Sequence, residues 1–306
     1  MIKASAPLRI SLFGGGTDLP VFYKKHGGEV ISMAIDLRQH ISVSDLGEGI
    51  SMPEWGSEEF YKKIFGGMKY KMPARIVSRC DVPIESGLGA SAAATVAMVG
   101  IVNEDKMLEM TKPQIAEKAW DLEVNKAGLY GGKQDQYASA LGGMNHIVFS
   151  KDGVEVMEMP MKVSEFWSDN MALIYTRYKR SCAKVQENLK VPSAESERAL
   201  EEVLRLCLEA EEPIWNMDFN TTANLLNRSW LAKKRTNKVT NSWIDKVYET
   251  AIEAGAAAGK LCGSGGGGFM VFLVRPAYQL EVIRALEGIE CVWYDFDTDY
   301  EGLRVD

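Results

Sequence analysis

The run Pro83-Ile84-Glu85-Ser86-Gly87-Leu88-Gly89-Ala90-Ser91-Ala92-Ala93-Ala94 restricts what this chain can fold into more than any other stretch. It requires a loop that turns on Gly87 and Gly89, where the backbone can take conformations and close approaches that a Cβ forbids. The small residues that follow predict a helix, because alanine is the best helix former. Ala92–Asn103 is apolar nearly all round, so that helix is predicted to be buried. A helix that starts directly behind a glycine loop presents unpaired N–H groups and the positive end of its dipole, an arrangement suited to phosphate. Taken alone, the run reads equally as a tight packing turn or as an anion cradle.

At 306 residues the chain is too long for one small core. Two domains are expected, 1–160 and 161–306, with the boundary near the Lys151-Asp152-Gly153 hairpin signal. With 46% hydrophobic and 25% charged residues the composition is that of an ordinary globular protein. The net charge of −7 argues against nucleic acid as the main partner. The five cysteines are scattered and form no CxxC pair, which suits a reducing cytoplasm without disulfides or a zinc site. His26, His40 and His146 lack metal-ligand spacing and are expected to be structural. No apolar run approaches the ~18 residues of a membrane span. A cytoplasmic protein without a membrane partner is expected.

Two more glycine loops flank the central one. Leu8, Ile10 and Leu12 alternate with Arg9 and Ser11, the period of a strand, which ends at Gly14-Gly15-Gly16 with Thr17 and Asp18 at its mouth. Three glycines exceed what a turn requires and point to a ligand loop. Near the other end, Gly263-Ser264-Gly265-Gly266-Gly267-Gly268 precedes the apolar strand Phe269–Val274. So much glycine is costly to order, and the loop is expected to lie against a ligand or another loop.

Between these loops, strands are predicted at Glu29–Ile35, Gln39–Val43 and Ala74–Cys80, with a short helix inside Leu46–Met72. Thr111 and Pro113 start a helix that runs through Val124 and carries Glu123 beside its apolar stripe. Gly128–Gly132 breaks it. Asp135 then falls in the first turn of a short helix, either as a simple dipole partner or as a functional carboxylate. The strand Met171–Thr176 leads into Arg177-Tyr178-Lys179-Arg180, a solvated loop or an anion site. Helices follow at 197–212, 223–231 and 243–254.

Several phosphate motifs are excluded. There is no GxxxxGK[ST] and no HRD or DFG set. Gly87-x-Gly89 lacks the third glycine and the acidic ribose partner of a dinucleotide fingerprint. The three motifs in order resemble the GHMP small-molecule kinases: Pro7-Leu8-Arg9-Ile10 with Gly15, Gly16 and Asp18, then Pro83-x3-Gly-Leu-Gly-Ala-Ser-Ala-Ala, then Gly263-Ser264-Gly265-Gly266-Gly267. Within that superfamily, Ala6–Ser11, Gly14–Pro20 and Gly131-Gly132-Lys133-Gln134-Asp135-Gln136-Tyr137-Ala138 resemble the 1-kinases of D-glycero-D-manno-heptose 7-phosphate, and L-fucose kinases share much of the pattern. Arg177 stands where the heptose family's Tyr-Thr-Gly-x-x-Arg-Ser run has glycine.

The resemblance implies an α+β, two-domain fold. Its parts are an N-terminal ATP-binding domain like domain 2 of ribosomal protein S5 and a ferredoxin-like C-terminal domain, with the active site in the cleft between them. It implies ATP and Mg²⁺ as cofactors, a sugar or sugar phosphate as acceptor, and a monomer or homodimer. Pro83, Glu85, Ser86, Gly87, Leu88, Gly89, Ala90, Ser91 and Ala92 would hold ATP, and Ser91 and Glu123 would hold the metal. Asp135 would act as base and Arg9 would offset charge on the transferred group. Gly15, Gly16, Thr17, Asp18, Gly265 and Gly266 would meet the sugar, with Lys133, Lys179 and Arg180 at a distal phosphate. A galactose-type kinase and an inactive ATP- and sugar-binding regulator are the alternatives.

Overall fold

The computed structural model describes residues 1–45, 57–83, 85–178, 193–236 and 239–306. The chain begins with two long strands, β1 (Ile2–Phe13) and β2 (Gly28–Ser44), joined through the first glycine loop and the short helix α1 (Pro20–His26). Then come α2 (Glu58–Gly67), β3 (Arg75–Cys80) and α3 (Ala90–Asp105). α4 (Lys112–Asp121) and α5 (Gln134–Leu141) lead to the hairpin β4 (Met144–Phe149) and β5 (Val154–Glu158).

The second half contains α6 (Met161–Asp169), β6 (Met171–Tyr175), α7 (Ala194–Trp215), α8 (Phe219–Thr236) and α9 (Ser242–Glu253). β7 (Ala258–Leu261), β8 (Phe269–Leu273), α10 (Pro276–Glu287), β9 (Val292–Tyr294) and β10 (Arg304–Val305) complete it.

Two antiparallel sheets result. The first has the order β10-β1-β2-β4-β5, and the second β7-β8-β6-β9. β2 is long enough to serve two partners on one edge, β4 along Gly28–Met33 and β3 along Gln39–Ser44. The two strands expected at 29–35 and 39–43 are therefore one. Of its two register shifts against β1, one lies where Pro7 faces Arg38 but Leu8 faces Ile35, and there Asp36 is exposed. The last strand, β10, returns to pair with β1, so the first sheet draws on both chain ends.

α3 is buried at Ala90 and from Ala92 to Val102, as its composition predicts, with Ser91 alone partly exposed in that stretch. It packs with α5 on β1 and β2, while α7 and α8 also lie against that sheet. This core runs on through Trp167, Phe219 and Val271 to the second sheet. The other side of the second sheet has its own core, where Ile174, Met270 and Phe272 meet Ile244, Val247 and Val282 of α9 and α10. No helix among the described residues is long and apolar enough to cross a membrane.

Candidate active site

The three glycine loops converge on one cavity. Arg9, Asp18, Glu123 and Asp135 line it, as do residues of the central loop and Gly263 and Ser264 of the third. Gly87 and Gly89 both have positive φ, +86° and +81°, and α3 starts immediately after Gly89. A Cβ on Gly87 would lie 2.7 Å from the Cys262 carbonyl oxygen, and one on Gly268 would lie 2.2 Å from that of Ser86. Phe269 N–H also donates to the Ser86 carbonyl at 2.9 Å. Much of the third loop's bare backbone is thus spent on bracing the central loop.

Arg9 spans the site. Its guanidinium donates to both oxygens of Asp135, at 2.8 and 2.9 Å, and Nη1 donates to the Gly87 carbonyl at 2.7 Å. The fork ties the first turn of α5 to the central loop. Burial works against the Arg9 charge, but the adjacent Asp135 carboxylate outweighs it and raises the pKa. Arg9 itself is 3% exposed, whereas the Asp135 side chain keeps 28% of its surface open.

Asp18 is buried and accepts three N–H groups, from Gly16 N (3.0 Å), Gln134 N (3.2 Å) and Gln134 Nε2 (3.1 Å). Burial, then the neighbouring Asp135 charge, still raise its pKa. Gly132 has to be glycine, because a Cβ there would fall 1.9 Å from Asp18 Oδ2.

Glu123 lies on a wide π-type turn, Leu122–Lys126, that continues α4. Such turns shift the phase of a helix and are frequent at functional sites. Here Glu123 is buried against Ser91, whose hydroxyl donates to Oε1, and Gln136 Nε2 donates to Oε2 at 2.7 Å. Burial pushes the Glu123 carboxyl up to about 7, partly offset by these two hydrogen bonds. Ser91 and Glu123 offer a hydroxyl and a carboxylate oxygen side by side. A small set of hard oxygens, completed by phosphate and water, fits Mg²⁺.

Other expected contacts fall elsewhere. Thr17 is fully buried, its hydroxyl donating to the Glu29 carbonyl (2.9 Å) and accepting from Glu29 N–H (3.0 Å), so it clamps β2 and does not line the cavity. Gly265 and Gly266 pack on Val239, and Gly266 N–H donates to its carbonyl at 2.9 Å. Lys133 turns away from the cavity. Its ammonium donates to both Glu117 oxygens, at 2.7 and 2.8 Å, and sits 4.7 Å from the centre of the Trp120 ring. Pro83 and Leu88 do not line the cavity either, Leu88 being core. Lys179 and Arg180 lie outside the described residues. Arg177, just before them, has φ +54°, the left-handed backbone that glycine adopts most easily.

The cavity also holds Lys233 of α8 and Lys260 of β7, neither of which stood out in the sequence. Lys233 lies in the last turn of α8 beside Lys234 and Arg235, past the end of the helix expected at 223–231, in a place where basic residues ordinarily serve the helix dipole. Lys260 had one signal, a lone charge between small and apolar residues leading into a glycine loop.

A strand-ended glycine loop, a helix N-terminus and an arginine–carboxylate fork around one cavity make an arrangement suited to phosphate. The family profile described as GHMP kinases N terminal domain matches residues 58–143, and the one described as GHMP kinases C terminal matches 199–290. The chain belongs to the GHMP kinases, a family of ATP-dependent phosphotransferases. It is 29% identical, over 99% of its length and 98% of the relative's, to a D-glycero-alpha-D-manno-heptose 7-phosphate kinase of Campylobacter jejuni. A mevalonate kinase of Thermococcus sibiricus is 27% identical over 100% of this chain and 98% of its own. Among solved structures, a D-glycero-D-manno-heptose 1-phosphate kinase from Bacteroides thetaiotaomicron superposes with a TM-score of 0.79 at 24% identity, covering 100% of this chain and 99% of that one. A Lactococcus lactis galactokinase complexed with galactose gives 0.72 at 18%, covering 99% and 95%. At these identities the two structures share the fold.

Proposed function

We propose that this protein is an ATP- and Mg²⁺-dependent sugar kinase. It phosphorylates the anomeric C1 hydroxyl of a sugar or sugar phosphate, D-glycero-D-manno-heptose 7-phosphate foremost. The observation that carries the reading is the Arg9–Asp135 fork, set between the N-termini of α3 and α5 and tied to the central loop. The full-length likeness to the Campylobacter heptose 7-phosphate kinase supports the acceptor.

In this reading the N–H groups of Gly87–Ser91 and the start of α3 hold the ATP phosphates. Asp135 keeps an open face, and it takes the proton of the acceptor hydroxyl as that oxygen attacks the γ-phosphorus, whose bond to the β–γ bridging oxygen breaks so that ADP leaves with the electron pair. Arg9 fixes the Asp135 carboxylate and sets a positive charge beside the transferred group, where positioning and charge stabilisation are the main catalytic needs. Asp18 accepts hydrogen bonds from sugar hydroxyls. Ser91 and Glu123 would hold Mg²⁺, which would supply positive charge against that of the phosphates.

ADP release measured over heptose 7-phosphate, fucose, galactose and mannose tests the proposal. Acceptor-stimulated release with one of them is expected. ATP and sugar binding without release from any would favour the regulatory binder instead. Asp135→Asn is expected to lower kcat on the order of 10²-fold or more, with the acceptor still bound. A near-normal kcat would remove Asp135 from the role of base.

A further inference from the structure

Three cations line the cavity: Arg9, Lys233 and Lys260. Arg9 is matched by Asp135. The two lysines have no carboxylate in contact, although the charge of Asp18 acts on Lys233 from a distance. Lys233 Nζ donates to the Gly15 carbonyl at 2.6 Å and Lys260 Nζ to the Ser11 carbonyl at 2.5 Å, and among the described residues neither forms an ion pair. An ammonium has three N–H donors, so each lysine has donors to spare. The surrounding lysines and arginines are different: Lys133 pairs with Glu117, Lys234 with Asp245 and Arg235 with Glu202.

Both lysines come from the second half of the chain and reach the backbone around the first glycine loop. Burial lowers the pKa of each, against the Asp18 charge at Lys233; at Lys260 the charges of Lys233 and Arg9 add to burial, and the result is about 8. Between them, Ser11 is 3% exposed and lines the cavity, and its hydroxyl has no hydrogen-bond partner among the described residues. The nearby carboxylates are already engaged, Asp18 by three N–H donors and Asp135 by Arg9. This end of the cavity therefore has positive charge and hydrogen-bond donors in surplus. A buried ammonium without a carboxylate in contact is costly, and it persists most readily where a ligand supplies the anion.

We infer that Lys233 and Lys260, with the Ser11 hydroxyl, form a seat for a phosphate monoester carried by the acceptor, and that this seat selects phosphorylated over unphosphorylated sugars. The inference rests on the kinase reading above and assigns the selectivity to residues far in sequence from the basic run at 177–180. The competing explanation is that the lysines only tie the two halves of the chain together.

The test compares ADP release by the wild type, Lys233→Met, Lys260→Met and Lys233→Arg, each with a sugar phosphate and with the same sugar lacking the phosphate. Each methionine variant is expected to raise KM for the phosphorylated acceptor about tenfold or more beyond its effect on the unphosphorylated one. Lys233→Arg is expected to recover part of the loss. Equal effects on both acceptors would overturn the seat and leave the kinase reading intact.

A wild type that turns over neither acceptor would count against the kinase reading. The seat is then tested by calorimetric titration, where equal affinity for the two sugars overturns it. If the methionine variants do not fold, inorganic phosphate is tested against the wild type. Inhibition competitive with the acceptor and not with ATP supports the seat, and its absence overturns it.

Discussion

Glu123→Gln is expected to stabilise the ligand-free protein while it removes turnover. Burial lifts the Glu123 carboxyl from its ordinary 4.5 to about 7. Each pH unit of such a difference is worth about 1.4 kcal/mol. Holding the group ionised at pH 8 therefore costs the folded state about 3 kcal/mol. The sign follows from proton counting. Between the two pKa values the folded chain binds more protons than the unfolded one, so wild-type stability falls as pH rises through that window. A neutral amide has no such fall.

The substitution also suits its surroundings. The Ser91 hydroxyl can still donate to the amide oxygen. Gln136 Oε1 has no partner among the described residues, so a flip of the Gln136 amide turns an acceptor towards the new NH₂ group.

For 306 residues the entropy of unfolding is about 0.6 kcal/mol per kelvin, which converts the gain to a rise in Tm of about 5 °C at pH 8. At pH 5 most of the carboxyl is protonated in the folded state, and the advantage shrinks to about 1 kcal/mol. Calorimetry without nucleotide or metal at the two pH values reads both numbers. With ATP and Mg²⁺ added the order should reverse, because only the wild type gains binding energy at this site. A variant less stable than wild type at pH 8, or equally stabilised at both pH values, would refute the reasoning.

Two further outcomes are expected. Gly132→Ala would drive a Cβ into Asp18 Oδ2, which lies 1.9 Å from its position, so KM for the sugar should rise about tenfold while KM for ATP holds; equal changes in both would mean that Asp18 does not meet the sugar. His146 is buried with Glu29 2.6 Å from Nε2 and Glu211 3.3 Å from Nδ1; burial lowers its pKa, but the two carboxylates more than offset this and raise it. Its contribution to stability is thus full below about pH 6.5 and fades as pH rises through the raised value. Thermal melts of wild type and His146→Gln should differ more at pH 6 than at pH 8.5, and a constant difference would contradict the ion pairs.

How much of this was legible in the sequence depended on how local each determinant is. The central loop and α3 were readable because glycine and alanine act through their own backbone, and Asp135 fell in the first turn of α5 as its framing glycines implied. The hairpin at 150–153 was readable for the same reason. β2 was misdivided because the polar Asp36 breaks the alternation, while the strand itself continues past a register shift against β1. β10 could not be foreseen, since its partner lies at the opposite end of the chain. The lysines show the same limit. Lys133 adjoins Asp135 in sequence, yet its charge goes to Glu117 on the preceding helix, whereas Lys233 reaches Gly15 across 218 positions. Which cation enters a cleft is decided by tertiary pairing, and no period or motif records it.

The two buried carboxylates of the cavity separate into different roles by what surrounds them. Asp18 has three N–H groups on its oxygens, two of them fixed by the backbone, and the Lys233 charge nearby. These donors and that charge offset part of what burial costs the anion, and its remaining lone pairs would suit hydroxyl donors. Glu123 has only a hydroxyl and a rotatable side-chain amide, both uncharged. Neither matches its charge, which is why burial can lift its pKa so far. A carboxylate kept at that cost beside a phosphate loop is short of a cation. The same deficit that makes Glu123 destabilising in the ligand-free protein would make it, with Ser91, a site that a Mg²⁺ ion would stabilise on entering.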